Sequence, residues 1–228
     1  MNIAIIAAAG AGTRMASDRP KQFLLLAGTP VIIHTLRVFE ECESIHEVIV
    51  VLPAAESAGF LSLAGKHGLR KIARVVPGGA TRADSVKRGL TAIRAATAEI
   101  VAVHDGVRPF VTTEEIDAVV TAAQADGAAI LVAPVTDTIK QIRDGRVVRS
   151  LDRGELRRAL TPQCFRYDVL RDAFANADVN DPSLTDESAL VERLGHAISV
   201  IKGNARNIKI TTVEDLAVAE AMLCYGSE

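Results

Sequence analysis

The chain has 228 residues, 49% of them apolar and 24% charged, enough to bury a core and too apolar for a disordered polymer. Its 26 Lys and Arg stand against 28 Asp and Glu for a net charge of -2, and aromatic residues make up 4% with no Trp. That balance excludes DNA or an anionic membrane as a bulk electrostatic partner and disfavours a base-stacking surface, leaving a small-molecule enzyme or binding domain.

The elements follow in chain order. Asn2 to Ala8 is a continuous apolar strand. Thr29-Pro30 then opens a helix to about Glu41, with Thr as N-cap and Pro at the first helical position. Glu47 to Leu52 predicts a strand, Ala54 to His67 a weaker helix, and Ile72 to Val76 a third strand. Arg82 to Ala96 predicts a helix, with Ala83, Val86, Leu90 and Ile93 on one face. Ile100 to His104 is a strand, and Thr112-Thr113-Glu114-Glu115 offers a capping box to a helix burying Ile116, Val119, Val120 and Ala123. Ala128 to Ala133 closes the alternation. Strands that are solid apolar runs, separated by helices, predict a doubly wound α/β fold whose mostly parallel sheet is covered on both faces.

The pattern changes at Asp137 to Leu151, where two part-polar strands flank Asp144-Gly145, a hairpin signal. Neither face of such an arm is well buried within one subunit, so it either packs on a homodimer partner or stands in solvent. Helices follow near Tyr167 to Asn176 and Thr185 to Leu194, the latter ended by Gly195. Strands at Ala197 to Ile201 and Asn207 to Thr211 and a Thr212-capped helix complete one domain, residues 1–228, with an arm at about 136–158. Cys42, Cys164 and Cys224 are odd in number and far apart, which fits neither a disulfide framework nor a zinc site. The apolar amino terminus has no Lys or Arg ahead of it and is too short to span a bilayer. The expected location is therefore the cytoplasm.

The chemistry gathers at strand ends. The first strand runs into Ala8-Ala9-Gly10-Ala11-Gly12-Thr13-Arg14-Met15, followed by Asp18-Arg19-Pro20-Lys21-Gln22. The dinucleotide fingerprint would need Gly at Met15, and a P-loop would need Gly-Lys-Ser/Thr, so neither applies. A Gly-x-Gly turn with two separated cations, Arg14 and Lys21, suits a triphosphate, although an ordinary strand-to-helix turn has the same appearance. In doubly wound sheets ligands bind beyond the carboxyl ends of the strands. Those ends also carry Pro77-Gly78-Gly79, His104-Asp105-Gly106-Val107-Arg108, Pro134-Val135-Thr136 and Lys209. Asp105 reads either as a turn cap or, with Arg108, as a grip on a hydroxyl and a phosphate. No His/Cys cluster has ligand spacing, so no protein-caged metal is expected, whereas Mg²⁺ carried on substrate phosphates would leave little trace.

Six blocks in order along the chain carry a family resemblance. They are the first turn with Pro20-Lys21-Gln22-Phe23, Gly78-Gly79 through Arg82, Asp84, Ser85 and Val86, and His104-Asp105 through Arg108-Pro109. The others are Ala159 through Thr161-Pro162-Gln163, Thr185-Asp186-Glu187, and Asn207-Ile208-Lys209-Ile210-Thr211. Together they resemble the 2-C-methyl-D-erythritol 4-phosphate cytidylyltransferases over essentially the whole chain. The first block alone would indicate only a Rossmann-like nucleotidyltransferase fold. The resemblance implies transfer of CMP from CTP to methylerythritol phosphate with release of pyrophosphate, in non-mevalonate isoprenoid synthesis.

By the same resemblance, Ala8, Ala9, Gly10, Gly12, Gly79 and Ser85 should hold the cytosine and triphosphate, with Asp105 also on the nucleotide side. Arg14, Lys21 and Lys209 should neutralise the charge that builds as the substrate phosphate attacks. Asp105, Arg108, Thr138, Thr185 and Lys209 should bind the acceptor, and Arg153 should reach into a homodimer partner's site. Mg²⁺ should ride mainly on the CTP phosphates. The chain departs from the family pattern at three places: Ala7 where Pro is common, Gly106-Val107 where two Ala are common, and Ala80 where some relatives carry an acid. A pentitol-phosphate cytidylyltransferase and a regulatory CTP-binding module without catalysis are the alternatives. Arg14, Lys21 and Lys209 together argue against the second.

Overall fold

The computed structural model describes residues 1–10, 19–181 and 183–225. In chain order its first half holds β1 (Asn2–Ala7), a 3-10 turn (Lys21–Phe23), β2 (Leu25–Leu26), β3 (Thr29–Pro30) and α1 (Val31–Glu41). Next come β4 (Glu47–Leu52), α2 (Ala54–Lys66), β5 (Ile72–Pro77), α3 (Arg82–Thr91), β6 (Ile100–Asp105), α4 (Thr113–Asp126) and β7 (Ala128–Pro134). The second half adds β8 (Lys140–Arg143), β9 (Arg146–Ser150), β10 (Arg157–Arg166), α5 (Tyr167–Ala175), α6 (Glu187–Arg193), β11 (Ser199–Lys202) and α7 (Val213–Tyr225).

Seven strands form one sheet in the order β11-β7-β10-β6-β1-β4-β5. The solid apolar strands are explained by what covers them. Ala4 and Ile6 of β1 face the layer of α1, α2 and α4, whereas Ile3 and Ile5 face α3, α5 and α6. Strand β4 divides the same way, Val48, Val50 and Leu52 against Ile49 and Val51. Each buried Ile, Val or Leu among them contributes about 2 kcal/mol, so helices on both faces reward residues that a one-sided sheet would leave wet. The strands lie parallel except β10, which runs antiparallel between β6 and β7.

Strand β10 is absent from the sequence-based element list. Pro162 in its middle argues against a central strand, because proline donates nothing to the ladder. The ladder to β7 is interrupted between Ala159 and Gln163, and Pro162, after a cis Thr161–Pro162 bond, lies inside that interruption. The reverse correction applies at Asn207 to Thr211, which is not a strand. Its backbone turns instead to the loop after β6, Ile210 N–H donating to the Val107 carbonyl at 2.9 Å and the Asn207 carbonyl accepting from Arg108 at 2.9 Å. Helix α3 stops at Thr91 rather than Ala96, and Arg74 donates to the Ala92 carbonyl just beyond its end at 2.7 Å. Thr29-Pro30 pairs with β2 before the first helix, so that Pro30 is the N-cap and not the first helical residue.

Two local expectations hold in detail. Thr112 and Glu115 form the reciprocal capping box of α4, and Asp144-Gly145 turns the hairpin with both φ angles positive, 49° and 72°. Every residue of β8 and β9 is exposed, Ile142, Val147 and Val148 included. A third apolar cluster, Leu26, Val31, Val107, Ile210 and Ala219, seats α7 beside the loop that follows β6. No helix among the described residues is long and apolar enough to cross a membrane.

Candidate active site

The carboxyl ends of β1, β5 and β6 open onto a cavity of about 310 Å³, lined by Ala7 to Gly10, Lys21, Gln22, Gly79 to Arg82, Ser85, Asp105, Val107 and Lys209. Its walls are loops in close approach. A Cβ on Gly78 would stand 2.1 Å from the Ala9 Cβ, so only glycine lets the loop after β5 lie on the turn after β1. Gly106 likewise abuts Ala8, at 2.7 Å for the added Cβ. Gln22 reaches from the 3-10 turn to donate to the Ala8 carbonyl at 2.6 Å, which pins the first turn from the opposite wall. Gly79 N–H donates to Ser85 Oγ at 3.0 Å, and that hydroxyl donates to the Thr81 carbonyl at 2.9 Å. Ala80 N–H donates to Asp84 Oδ2 at 3.0 Å, and Arg88 holds Asp84 in turn at 3.2 Å. The whole segment 78–85 is thereby fastened by its own helix.

Between this cavity and a second stands a cluster of charge. Asp105, at the end of β6, takes Arg82 Nε on Oδ1 at 3.1 Å. Its Oδ2 takes Arg108 Nε at 3.1 Å and Lys209 Nζ at 3.0 Å. Arg82 also donates to both oxygens of Glu187, at 2.7 and 2.9 Å. Burial opposes the charge on Asp105, but Arg82, Lys209 and Arg108 outweigh it and hold the carboxyl well below the usual range. Glu187 has Arg82 as its cation, and there burial wins, pushing its carboxyl above the ordinary value. Each carboxylate of the cluster thus has at least one cationic partner, and the three cations share the wall between the cavities.

The second cavity, about 140 Å³, is lined by Arg82, Asp105, Arg108, Ala159 to Thr161, Gln163, Thr185, Asp186 and Lys209. Gln163 organises its far wall, donating to Asp186 Oδ2 at 2.8 Å and accepting from Ser188 N–H at 3.0 Å. Asp186 also caps α6, accepting from Ala189 N–H at 3.1 Å, which turns Thr185 toward the cavity. Arg82, Asp105 and Lys209 belong to both cavities, so the two compartments meet across a shared cationic wall.

Ala8, Ala9, Gly10, Lys21, Gly79, Ser85, Asp105 and Lys209 are brought together in the larger compartment as expected, and Asp105, Arg108, Thr185 and Lys209 in the smaller. Gly12 and Arg14 lie outside the described residues. Thr138 and Arg153 are exposed at the foot of the arm and line neither cavity, Arg153 donating to the Thr136 carbonyl at 2.8 Å. Nothing in the sequence singles out a role for Arg82, Glu187, Gln22 or Gln163. Each lies within one of the six family blocks, and only the fold turns them toward the cavities and the charge cluster between them. The Ala80 methyl lines the larger cavity and offers a nucleotide no polar side-chain contact.

The family model for 2-C-methyl-D-erythritol 4-phosphate cytidylyltransferase (IspD) matches residues 2–225. The chain belongs to that family. A relative of that name from Pelotomaculum thermopropionicum is 47% identical over 222 residues, 96% of this chain and 93% of that protein. Another from Bacillus cytotoxicus is 42% identical over 219 residues, 96% of each. Among solved structures, the 4-diphosphocytidyl-2C-methyl-D-erythritol synthase of Anaerococcus prevotii superposes with a TM-score of 0.86 at 30% identity, covering 98% of both chains. The Thermus thermophilus cytidylyltransferase gives 0.77 at 34% identity, with 96% of this chain and 97% of that one covered. The doubly wound sheet is thus that of a cytidylyltransferase family.

Proposed function

We propose that the chain transfers CMP from CTP to 2-C-methyl-D-erythritol 4-phosphate, releasing pyrophosphate and forming 4-diphosphocytidyl-2-C-methyl-D-erythritol. The observation that carries this is the pair of cavities sharing Arg82, Asp105 and Lys209, one glycine-walled and one polar. CTP occupies the larger, its base against the turns at Ala8 to Gly10 and Gly79 to Ser85. The acceptor occupies the smaller, with its hydroxyls toward Asp105 and Thr185 and its phosphate toward Arg108 and Lys209.

An oxygen of the acceptor phosphate then forms a bond to the α-phosphorus of CTP while the bond from that phosphorus to the α–β bridging oxygen breaks, and pyrophosphate leaves. The nucleophile is already an anion at neutral pH, so no general base is needed. Catalysis is positioning plus neutralisation of two approaching anions, assigned here to Lys21 and Lys209 with Arg14. Asp105, already committed to three cations, is poorly suited to hold a metal of its own. Mg²⁺ carried by the CTP phosphates would supply further neutralisation of the leaving group.

The arm completes the proposal. Its apolar side chains are uncovered within the subunit, and Thr138 and Arg153 at its foot serve the acceptor site of a homodimer partner. Pyrophosphate release is measured with CTP, Mg²⁺ and each polyol phosphate in turn. Release with methylerythritol phosphate is the expected result. Release only with ribitol phosphate, or none with any acceptor, would replace this reading with the pentitol enzyme or the binding module.

A further inference from the structure

His104 is fully buried in β6, on the face that carries Ile100 and Ala102 toward α1 and α4, with the Phe39 ring 4.9 Å away. Strand alternation calls for an apolar residue here. Instead the imidazole has both nitrogens engaged. Nε2 lies 3.1 Å from the Arg108 carbonyl, and Nδ1 lies 3.0 Å from Thr161 Oγ1. A carbonyl can only accept, so Nε2 must carry the proton. Thr161 Oγ1 already accepts the Asp105 N–H at 3.2 Å, which leaves its own hydrogen for Nδ1. The bonds therefore run in one direction: Asp105 N–H to Thr161, Thr161 O–H to His104, and His104 Nε2–H to Arg108. The backbone at both ends of the Asp105–Arg108 turn is tied, directly or through one hydroxyl, to a single ring.

The same chain extends to Asn207, two residues before Lys209. The Thr161 carbonyl accepts from Asn207 Nδ2 at 2.8 Å, and the Asn207 carbonyl accepts from Arg108 at 2.9 Å. Arg108 is thus referred back to His104 and Thr161 through its own carbonyl and through Asn207, whereas Arg82 is held separately by Glu187. Burial, together with the Arg108 charge, lowers the imidazole to about 4, against a smaller opposing pull from the Arg108 carbonyl and Asp105, so the neutral form that this geometry requires is the one present at neutral pH.

We propose that His104 is a positioning residue for the acceptor compartment, a neutral Nε2–H imidazole that sets the Asp105–Arg108 turn from beneath without touching substrate. The role rests on the functional reading above, because it is the acceptor that Arg108 and Thr161 face.

Two measurements test it. The first, nitrogen-15 NMR of the full-length protein without substrate, reads the tautomer and is independent of any reaction. An Nε2–H imidazole is expected at neutral pH, and an Nδ1–H ring or an imidazolium overturns the proposal. The second compares steady-state kinetics of the wild type, His104→Phe and His104→Gln. Phenylalanine keeps a ring against Phe39 and loses both bonds, whereas the glutamine amide can still donate to the Arg108 carbonyl. For His104→Phe the acceptor KM should rise about tenfold and the CTP KM by no more than about threefold, since Asp105 and Val107 of the same turn also line the larger cavity, and His104→Gln should recover part of the loss. An equal rise in both KM values, or no rise, would mean that the ring is only core packing. If His104→Phe does not fold, His104→Gln carries the same split, about threefold on the acceptor KM and none on the CTP KM. Wild-type turnover is the separate control, because its absence would reject the functional reading and leave the tautomer result standing.

Discussion

Replacing Arg82 by Met would remove the cation that joins the two buried carboxylates while keeping most of the side-chain volume. Asp105 would retain Arg108 and Lys209, at 3.1 and 3.0 Å. Glu187, 1% exposed at its side chain, would lose the guanidinium that reaches both its oxygens. A lone buried carboxylate takes up a proton rather than stay charged, and from an ordinary value of 4.5 doing so at neutral pH costs about 3 kcal/mol, at about 1.4 kcal/mol per pH unit. Because burial already raises Glu187 in the wild type, Arg82→Met should be up to about 3 kcal/mol less stable than wild type in urea unfolding at neutral pH.

The pH dependence has a definite sign. A carboxyl raised on folding contributes stability below its unfolded value and loses it as pH rises through the folded one. The deficit should accordingly shrink to no more than about 1.4 kcal/mol near pH 5.5. Asp105 is shifted the opposite way and keeps Arg108 and Lys209 in this variant, so the dependence above the ordinary carboxylate range is assigned to Glu187. Adding Glu187→Gln should recover most of the loss at neutral pH, because the amide has no charge to strand. A deficit under about 1 kcal/mol, or one that does not change with pH, would refute the view that Arg82 exists to compensate Glu187.

Three other outcomes are expected. Lys21→Ala should lower turnover by about a hundredfold or more with little change in urea unfolding, since a cation facing a phosphate serves the transition state and not the core; near-normal turnover would remove Lys21 from the mechanism. Gly78→Ala should raise the CTP KM by about tenfold, because its methyl would stand 2.1 Å from the Ala9 Cβ and the two loops must part, and an unchanged CTP KM would show that they do not hold the nucleotide. If the arm serves a partner, mixing inactive Lys21→Ala and Arg153→Ala subunits should restore about a quarter of wild-type activity, because half the dimers then carry one intact site. No restoration after subunit exchange would place Arg153 in its own subunit's site or in none.

Much of this architecture is written locally. Parallel strands buried on both faces need unbroken apolar runs, so β1, β4, β6 and β7 are visible in the chain with boundaries good to a residue or two. The α4 capping box and the Asp144-Gly145 turn depend on neighbours within four residues and are equally plain. Strand β10 could not be seen, because its proline is tolerated only where the ladder to β7 happens to be interrupted. The segment Asn207–Thr211 misleads in the other direction, an alternating pattern whose apolar residues answer to α7 and Val107 rather than to a neighbouring strand.

The site divides along the same line. Glycines and cations at strand ends marked the nucleotide side, because doubly wound sheets put ligands there whatever the chemistry. The partnership of Arg82 with Glu187, 105 positions apart, exists only once α3 and α6 pack on the same face of the sheet, and that of His104 with Thr161, 57 apart, only once β6 and β10 lie side by side. The net charge of -2 invites the conclusion that electrostatics matters little to this chain. A sum over residues is all that composition can report. Folding carries Arg82, Arg108 and Lys209 to one carboxylate, and charge confined to a buried wall acts at a far lower dielectric than the same charge spread over the surface.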